Sequence, residues 1–452
     1  MRIDIRNTSG PRSEASGCAG ASDPEALPRM LIIAWGDTRS MKQIDLGGVS
    51  FAEIREKDKH YVDKTLLIKD ILGTDDRGAY LFTRPRRFGK SMNLSMLDAF
   101  LNMRYKGNTW FDGLAISDHP EFESYKNAFS VIHLDLGVAD ADDFDEFLGG
   151  MRKAVAKAFR PHRYLLEWAD LSNTMRSLFE IFDSETMPLS RDMLKYSVNR
   201  LSFALAQYHG RPPVILIDEY DRAVSNAFGE ESHKEMMSFL AKFMYASVKG
   251  NPYREMVYVT GMTRIAKQSI SYEMNNFVVN DVFSERSDER FGFTESEVKN
   301  ILEDYGYGDR FDVAKTWYGG FRFGDAEVYN PYSIMCFVDQ GCEPKTYRTD
   351  EDRNALIRTT LKSITSKKYA EIMKMVDGGS VMSDLIEAFP YEAIEMPGQP
   401  LYSLMVMSGY LGAVPTNETD IFGDSLFRLS VPNEEVRELV GRLMDDSHPA
   451  DV

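Results

Sequence analysis

Four segments of the chain are apolar nearly throughout and end in glycine, proline or polar residues. These strand-like segments are residues 80–83, 130–138, 212–221 and 255–265. Between them, apolar residues recur every three to four positions, which is the period of an amphipathic helix. The helical segments are residues 91–105, 144–160 and 191–208. Strands that are apolar on both faces and alternate with helices predict an α/β fold, a parallel sheet with helices on both faces.

The pattern changes in the second half of the chain. From residue 295 to about 450 the periodicity is helical, until two strand-like segments occur at 411–416 and 426–431. A last helical segment follows at 433–444, and Asn433 is of a residue type that caps helix N-termini. We therefore expect a mostly helical C-terminal region that ends in a winged-helix-like module.

The same patterns divide the chain into four parts. Residues 1–40 are rich in glycine, serine, alanine, proline and charge, which predicts a disordered or non-native tail. Residues 41–270 hold the predicted α/β sheet, and residues 271–350 are expected to form a helical lid or linker. Residues 351–445 are expected to form the helical, winged-helix-like domain.

Composition and charge narrow the class of protein. Of the 452 residues 43% are hydrophobic and 27% charged, which excludes wholesale disorder and fibrous repeats. Because 70 Asp and Glu outnumber 53 Lys and Arg, the net charge is -17, and a protein that coats nucleic acid or an anionic membrane is disfavoured. The three cysteines form no C-x-x-C pair, and no apolar run approaches the ~18 residues that span a bilayer. We expect a cytoplasmic protein with no membrane partner.

One segment carries a specific chemical signature. The sequence "TRPRRFGKSMNLSML" begins at Thr83 and runs from a predicted strand through a turn into a predicted helix. In phosphate-binding loops (P-loops) of this form, backbone N–H groups and the positive end of the helix surround an anion. On this interpretation Gly89 lets the backbone approach the phosphates, Lys90 bridges β- and γ-phosphate oxygens, and the Ser91 hydroxyl ligates Mg²⁺.

The loop departs from the standard G-x-x-x-x-G-K-[ST] pattern at its start. Arg84 stands where the first glycine is expected, and Pro85 stiffens the loop. Arg86 and Arg87 add two positive charges beside the phosphates. The alternative is a coincidental Gly-Lys-Ser with solvated arginines. On the phosphate-loop interpretation, the nucleotide-binding residues are Arg84, Pro85, Arg86, Arg87, Phe88, Gly89, Lys90, Ser91 and Met92.

Two acids follow the third strand-like segment. Asp218 and Glu219 stand at its C-terminal end, about 130 residues after Lys90. In P-loop ATPases an acid at this position completes the Mg²⁺ shell, and a following glutamate polarises the attacking water. We assign Asp218 to the metal and Glu219 to the catalytic base. The alternative is a solvated acidic turn, but acids here, downstream of a phosphate loop, favour a Mg²⁺·ATP site.

The fourth strand-like segment also ends in polar residues. Thr260 stands at its tip, where a hydroxyl beside the P-loop can sense the γ-phosphate, and Arg264 can stabilise charge in the transition state. We assign both to catalysis. The alternative is a hydroxyl that satisfies the turn and a solvated arginine.

Eight motifs in consistent order resemble the bacterial AAA-ATPase-like family. Together they extend over roughly residues 42–440, and the ordered set is more specific than any one motif. The motifs are "HYVDKTLLIKDIL" (60–72), "RPRRFGKSMNLSML" (84–97), "LIDEYD" (216–221), "TGMTRI" (260–265), "FGFTESEV" (291–298), "WYGGFRFG" (317–324), "YNPYSI" (329–334) and "LYSLMVMSGYL" (401–411). The unusual start of the loop is then the family's own form.

The resemblance implies an ATP-binding P-loop domain of the additional-strand type, related to signalling and defence NTPases. Family members often continue into a PD-(D/E)xK nuclease-like domain, which needs a strand-borne Asp followed by Glu-x-Lys. The two Glu-x-Lys tripeptides are residues 297–299, in a helical pattern, and residues 343–345, which contain Pro344. We therefore expect no nuclease site in this chain.

Two further features are less specific. Lys362, Lys367, Lys368 and Lys374 form a basic stretch that would suit nucleic acid if the winged-helix pattern holds, but a solvated helix face is favoured. Tyr61 precedes the P-loop strand, where an adenine-contacting segment often lies, and core packing is its alternative role.

These features predict a protein that binds Mg²⁺·ATP, hydrolyses it slowly and relays a conformational switch to its helical C-terminal half. The expected cofactors are ATP and Mg²⁺, and the expected partners are ATP and a protein or a second copy of the chain. Nucleic acid is not favoured. The alternatives are a non-catalytic, nucleotide-dependent scaffold and a nucleic-acid-associated component of defence or mobile elements.

Overall fold

A computed structural model gives the fold of the chain. It describes residues 41–73, 78–263, 277–348, 355–389, 391–394, 400–420 and 422–447. The predicted tail at residues 1–40 lies outside the described residues.

Within the described residues, the strands form one larger and two smaller sheets. They are β1 (Ala79–Thr83), β2 (Val131–Asp135), β3 (Val214–Asp218), β4 (Val257–Gly261), β5 (Phe277–Asn280), β6 (Phe293–Thr294), β7 (Phe321–Phe323), β8 (Ala326–Tyr329), β9 (Val381–Ser383), β10 (Gly412–Thr419) and β11 (Ser425–Ser430).

The helices range from one turn to more than four. They are α1 (Phe51–Glu56), α2 (Leu66–Leu72), α3 (Lys90–Leu101), α4 (Phe144–Phe159), α5 (Asn173–Asp183), α6 (Arg191–Lys195), α7 (Ser197–His209), α8 (Arg222–Asn226), α9 (His233–Met244), α10 (Glu295–Asp304), α11 (Phe311–Tyr318), α12 (Pro331–Asp339), α13 (Ala355–Leu361), α14 (Ser366–Val376), α15 (Tyr391–Ile394), α16 (Leu401–Met407) and α17 (Glu434–Ser447). Within the described parts of the chain, no helix combines the length and the apolar character that crossing a membrane requires.

The centre of the fold is a five-stranded parallel sheet in the order β2-β3-β4-β1-β5. Strands β1, β3 and β4 are buried along their whole length, as their continuous apolar sequences require. Helix α3 packs on β3 and β4, and α4 packs on β2. This arrangement confirms the predicted α/β fold of the P-loop type. Because the strands are parallel, the C-terminal ends of β1, β3 and β4 meet at one edge.

The middle of the chain contains more strand than its sequence pattern indicates. The fifth strand, β5, lies beyond residue 270, where the α/β domain was expected to end, and it pairs with β1. Its four residues are mostly half-buried, so they give no continuous apolar signal. Residues 271–350 also contain a three-stranded sheet, β6-β8-β7, besides helices α10, α11 and α12. The predicted helix at 191–208 is two helices that meet at Tyr196.

The C-terminal region combines short helices with a small antiparallel sheet in the order β10-β11-β9. Every residue of α16 is buried. Helix α17 starts after Asn433, whose Oδ1 accepts a hydrogen bond from the Val436 N–H at 3.0 Å. Asn433 therefore caps this helix, as its position in the sequence predicts.

Candidate functional site

The turn between β1 and α3 leaves open space at the start of the helix. Gly89 is the N-cap with φ 84°, a conformation that glycine adopts without strain. A Cβ atom here would meet nothing within 4 Å. Among the described residues no side chain caps this helix, so its first backbone N–H groups are free to bind an anion.

Lys90 is buried at this helix start. Its Nζ donates hydrogen bonds to the backbone oxygens of Arg84 and Pro85 at 2.9 and 2.8 Å. Burial lowers the pKa of Lys90 from its ordinary value, and the nearby carboxylates of Glu219 and Asp218 oppose this shift. The ammonium group is thus held under the loop, within the field of the acids at the end of β3.

A cleft of about 730 Å³ opens at the turn. Four parts of the chain line it: residues between 45 and 64, residues 86–93 of the loop and α3, Glu219 and Arg222 after β3, and residues of the C-terminal half. Its size falls in the range of roughly 300–1,000 Å³ that small-molecule sites occupy. Six Lys and Arg side chains line it against two acids, although the whole chain is acidic. The cations are Lys64, Arg86, Arg87, Lys90, Arg222 and Arg290. This lining suits a polyphosphate anion.

Seven of the nine predicted nucleotide-binding residues line the cleft. They are Arg86, Arg87, Phe88, Gly89, Lys90, Ser91 and Met92. Ser91 is exposed in the first turn of α3. The Arg87 guanidinium lies 4.4 Å from the ring centre of Tyr332, a residue of α12 that also lines the cleft. The loop therefore meets the C-terminal half inside the cleft.

The side chains of the other two loop residues, Arg84 and Pro85, point away from the cleft. Arg84 is fully buried, and its guanidinium donates to the backbone oxygen and Oδ1 of Asn280 at 2.9 and 2.6 Å. Its charge lies between the rings of Phe291 and Phe323, 4.9 and 5.0 Å from their centres. Pro85 faces Gly409 rather than the cleft. Their backbone oxygens still contribute by holding Lys90.

Asp218 and Thr260 form a buried pair beside the cleft. The Thr260 hydroxyl donates a hydrogen bond to Asp218 Oδ1, which also accepts from the Glu219 N–H at 3.0 Å. Thr260 lies on β4 opposite Phe82 of β1, so it is beside the P-loop strand as expected. Among the described residues, neither Asp218 nor Thr260 lines the cleft. The Thr260 hydroxyl is thus engaged by Asp218.

Glu219 lines the cleft from the end of β3. Its backbone is left-handed, with φ 51°, a conformation that is uncommon for residues other than glycine. Its Oε2 accepts a hydrogen bond from Nη1 of Arg222 at 2.7 Å. Glu219, just after β3, and Lys90, at the start of α3, therefore face the same cleft.

Sequence reasoning reached part of this site. Tyr61, for which an adenine contact and core packing were both open, lines the cleft. Arg222 and Tyr332 also line it but were not assigned a role. One feature of the sequence could have indicated Arg222: it follows Glu219 by three residues, at the start of a helix. Arg264, the remaining predicted catalytic residue, lies outside the described residues.

The protein oxygen donors at this site fit Mg²⁺ only if phosphate oxygens complete the coordination shell. In the described parts of the chain, no group of three His, Cys, Asp or Glu side chains could hold a metal alone. The exposed hydroxyl of Ser91 and the buried carboxylate of Asp218 are hard oxygen donors. Mg²⁺ typically binds in this way, through one or two protein oxygens, substrate phosphates and water.

The parallel sheet, the open helix start and the cationic cleft define a nucleotide-binding P-loop protein. The family model described as "Predicted AAA-ATPase" matches residues 45–271, half of the chain. The chain belongs to this AAA-ATPase-like family, as its motifs indicated.

Two comparisons describe more distant likenesses. The chain is 24% identical over 408 residues to the "Uncharacterized protein in vnfD 5'region" of Azotobacter chroococcum mcd 1, covering 88% of this chain and 69% of that protein. It is also similar to the Aeropyrum pernix ORC1 protein, solved in complex with DNA, at 12% identity, 87% of this chain, 91% of that chain and a TM-score of 0.25. So low a score says nothing about the partners of this chain.

Proposed function

We propose that this protein is a slow Mg²⁺·ATPase whose nucleotide cycle switches the conformation of its C-terminal half. The observation that carries the proposal is the shared cleft. In it the open start of α3, the carboxylate of Glu219 and side chains of α12 face one space. ATP binding follows from the family and the cleft, whereas hydrolysis and switching are the new claims.

The binding roles follow from the local contacts. The first N–H groups of α3 and Lys90 would hold the β- and γ-phosphates, since both an uncapped helix start and a buried cation favour an anion. Ser91 and Asp218 would hold Mg²⁺, which neutralises phosphate charge when bound. Thr260 would act through Asp218, because its hydroxyl fixes the orientation of that carboxylate.

The catalytic roles belong to the cleft residues around Glu219. We propose that Glu219 orients and deprotonates a water for in-line attack on the γ-phosphate. Arg86 lines the cleft and would stabilise the developing charge. Arg264 remains a second candidate for that charge-stabilising role from the sequence alone.

Contacts between the loop and the C-terminal half support the switch. Arg84 lies between two aromatic rings of that half, and the Phe88 ring contacts Phe321 and Phe323, with ring centres 5.0 Å apart in both pairs. Arg87 stacks on Tyr332. A movement of the loop by nucleotide therefore has packed side chains through which to displace the C-terminal half.

The domain division stays part of the proposal, with the P-loop domain extended to include β5. For residues 351–445 we keep a winged-helix-like module, supported by its order of helices, β9, helices and the β10–β11 hairpin. A protein-packing role is favoured over nucleic acid, because α16 is entirely buried and the tip of the β10–β11 hairpin carries acids at 418, 420 and 424.

Nucleotide binding and turnover by two variants test the proposal. We expect Lys90→Ala to lose ATP binding measured by calorimetry, because the buried cation is removed from the phosphate site. We expect Glu219→Gln to bind ATP within a few-fold of wild type but to release phosphate at least ~100-fold more slowly. Lys299→Ala, an exposed lysine of α10, is the matched control and should change neither quantity.

The outcomes separate the claims. Unchanged ATP affinity in the Lys90 variant would contradict the assignment of the phosphate site. Wild-type protein that binds ATP but shows no multiple-turnover phosphate release would instead be the non-catalytic, nucleotide-dependent scaffold.

A further inference from the structure

Glu219 is held on one side by an ion pair that its role as a base does not explain. Arg222 Nη1 donates to Glu219 Oε2 at 2.7 Å, and both side chains are about one-third exposed, 37% and 30%. Pairs this exposed contribute little to stability. The main effect of the pair is to orient the Glu219 carboxylate, because it fixes Oε2 and leaves Oε1 for a different partner.

Arg222 is itself held from its other side. Its Nε donates to Asp140 Oδ2 at 3.2 Å. Asp140 Oδ1 and Oδ2 both accept from the Asn226 side-chain amide at 2.8 Å. Arg222 and Asn226 are four residues apart on α8, so they lie on one face of that helix and converge on Asp140.

This network returns to the P-loop. Asn226 Oδ1 accepts a hydrogen bond from Nη2 of Arg86 at 3.4 Å. The chain of contacts thus joins the loop, the segment after β2 and the end of β3, and Glu219 stands at one end of it.

A glycine leaves the space that the carboxylate of Glu219 occupies. A Cβ atom on Gly137, just after β2, would lie 2.2 Å from Glu219 Oε2. Its next neighbour would be Asp135 Oδ1 at 3.1 Å, also the end of a flexible side chain. Alanine at this position would therefore displace the Glu219 carboxylate while leaving every charge in place.

We propose that Arg222, held by Asp140 and Asn226, is the positioning residue that aims Glu219 at its water in ATP hydrolysis. The proposal rests on the proposed function and adds a residue to it. Arg222 lines the cleft, but its Nε and Nη1 are already paired with Asp140 and Glu219, so it acts through Glu219 rather than by binding the nucleotide. Its planar guanidinium suits this task because it can bond two carboxylates at a fixed angle, which a lysine cannot.

Four variants test the proposal by two measurements, phosphate release and ATP affinity. We expect Arg222→Ala to release phosphate ~10–100-fold more slowly with ATP affinity within ~3-fold, because misplacing a reacting group costs rate rather than binding. Arg222→Lys should recover part of the rate. Gly137→Ala should show a similar loss of rate. Arg437→Ala is the matched control, since Arg437 pairs with Glu434 three residues away at 2.8 Å and with similar exposure.

A third measurement does not depend on activity. Carbodiimide labelling followed by peptide mass spectrometry reports how freely each carboxylate reacts. We expect Glu219 labelling to rise several-fold in Arg222→Ala and to stay at the wild-type level in Arg437→Ala, where Glu434 labelling should rise instead.

Each outcome decides between the claims. Wild-type protein that fails to bind ATP overturns the proposed function itself. Wild-type protein that binds ATP without turnover overturns the positioning role, since there is then no base to aim. With turnover present, an Arg222→Ala rate within ~2-fold of wild type, or an affinity loss that matches the rate loss, overturns the positioning role alone.

Discussion

At the scale of single residues, Arg84 is the least expected feature of the protein. It stands where other phosphate loops have glycine, yet its side chain is fully buried away from the cleft. Burial lowers the pKa of Arg84 to about 10, so it stays charged at neutral pH. Two aromatic faces and the oxygens of Asn280 offset the cost of burying this charge.

Arg84→Ala should therefore destabilise the fold. Removing the side chain leaves a cavity between two rings and leaves the Asn280 oxygens unpaired, which we expect to cost about 3 kcal/mol in urea unfolding. The control is Arg163→Ala, because Arg163 is a half-exposed surface arginine paired with Asp183, and it should cost less than about 1 kcal/mol. Equal effects of the two substitutions would show that Arg84 has no special structural role.

His162 gives the fold a specific dependence on pH. It is 5% exposed and its Nε2 contacts the backbone oxygen of Val131 at 3.1 Å. Burial lowers its pKa from 6.5 to about 4. Below pH 6.5 the unfolded chain binds a proton that the folded chain excludes, so stability falls as the pH drops towards 4.

His162→Gln should remove this part of the pH dependence, because the amide can still donate to Val131. We expect the loss in unfolding free energy between pH 7 and pH 4.5 to be smaller by about 2 kcal/mol than in wild type. Urea unfolding at the two pH values measures it. An identical loss in both proteins would mean that His162 does not titrate as its burial requires.

At the scale of elements, the P-loop packs against both halves of the chain. Its turn is packed by side chains of the C-terminal half, and α16 approaches it through Gly409. Gly409 has φ 75°, and a Cβ atom there would lie 2.9 Å from Cβ of Pro85. Both the backbone conformation and the close approach require glycine.

Gly409→Ala should weaken the packing of the P-loop against the C-terminal half. We expect a loss of about 2 kcal/mol from the left-handed backbone and the clash with Pro85 together. Gly441→Ala is the matched control, because its Cβ would meet nothing within 4 Å inside α17, and it should stabilise by about 0.5–1 kcal/mol. Thermal unfolding of both variants measures the difference, and a stabilising Gly409 substitution would contradict the packing described.

The sequence predicts those elements whose signal is local. Continuous apolar segments of the sequence predict β1, β2, β3 and β4. A short motif identifies Gly89, Lys90 and Ser91. The direction in which the Arg84 side chain points was not predictable, because its partners Phe291 and Phe323 lie more than 200 residues further along the chain. Strand β5 was missed because three of its four residues are half-buried and the strand follows a long interval after β4.

At the scale of the whole molecule, nucleotide binding should change the C-terminal half as well as the loop. Tyr332 of α12 lines the cleft and stacks on Arg87, and β7 packs on Phe88. The same helix α12 is tied to the last helix, α17, by a hydrogen bond from the Ser333 hydroxyl to Glu435 at 2.8 Å. A ligand that orders the loop therefore has a continuous path to the C-terminal half.

Hydrogen exchange tests this path. Addition of Mg²⁺ and ATP should slow amide exchange in α12 and β7 as well as in residues 84–92, and should leave α5 unchanged. The Lys90→Ala variant should show no such protection. Protection confined to the loop would contradict the switch while leaving nucleotide binding intact.

The most direct measurement is a crystal structure of the protein with Mg²⁺ and a non-hydrolysable ATP analogue. We expect the triphosphate against the first N–H groups of α3, with Lys90 on its phosphates and Glu219 facing its terminal phosphate. An analogue bound anywhere else, or a triphosphate turned away from Glu219, would contradict the account.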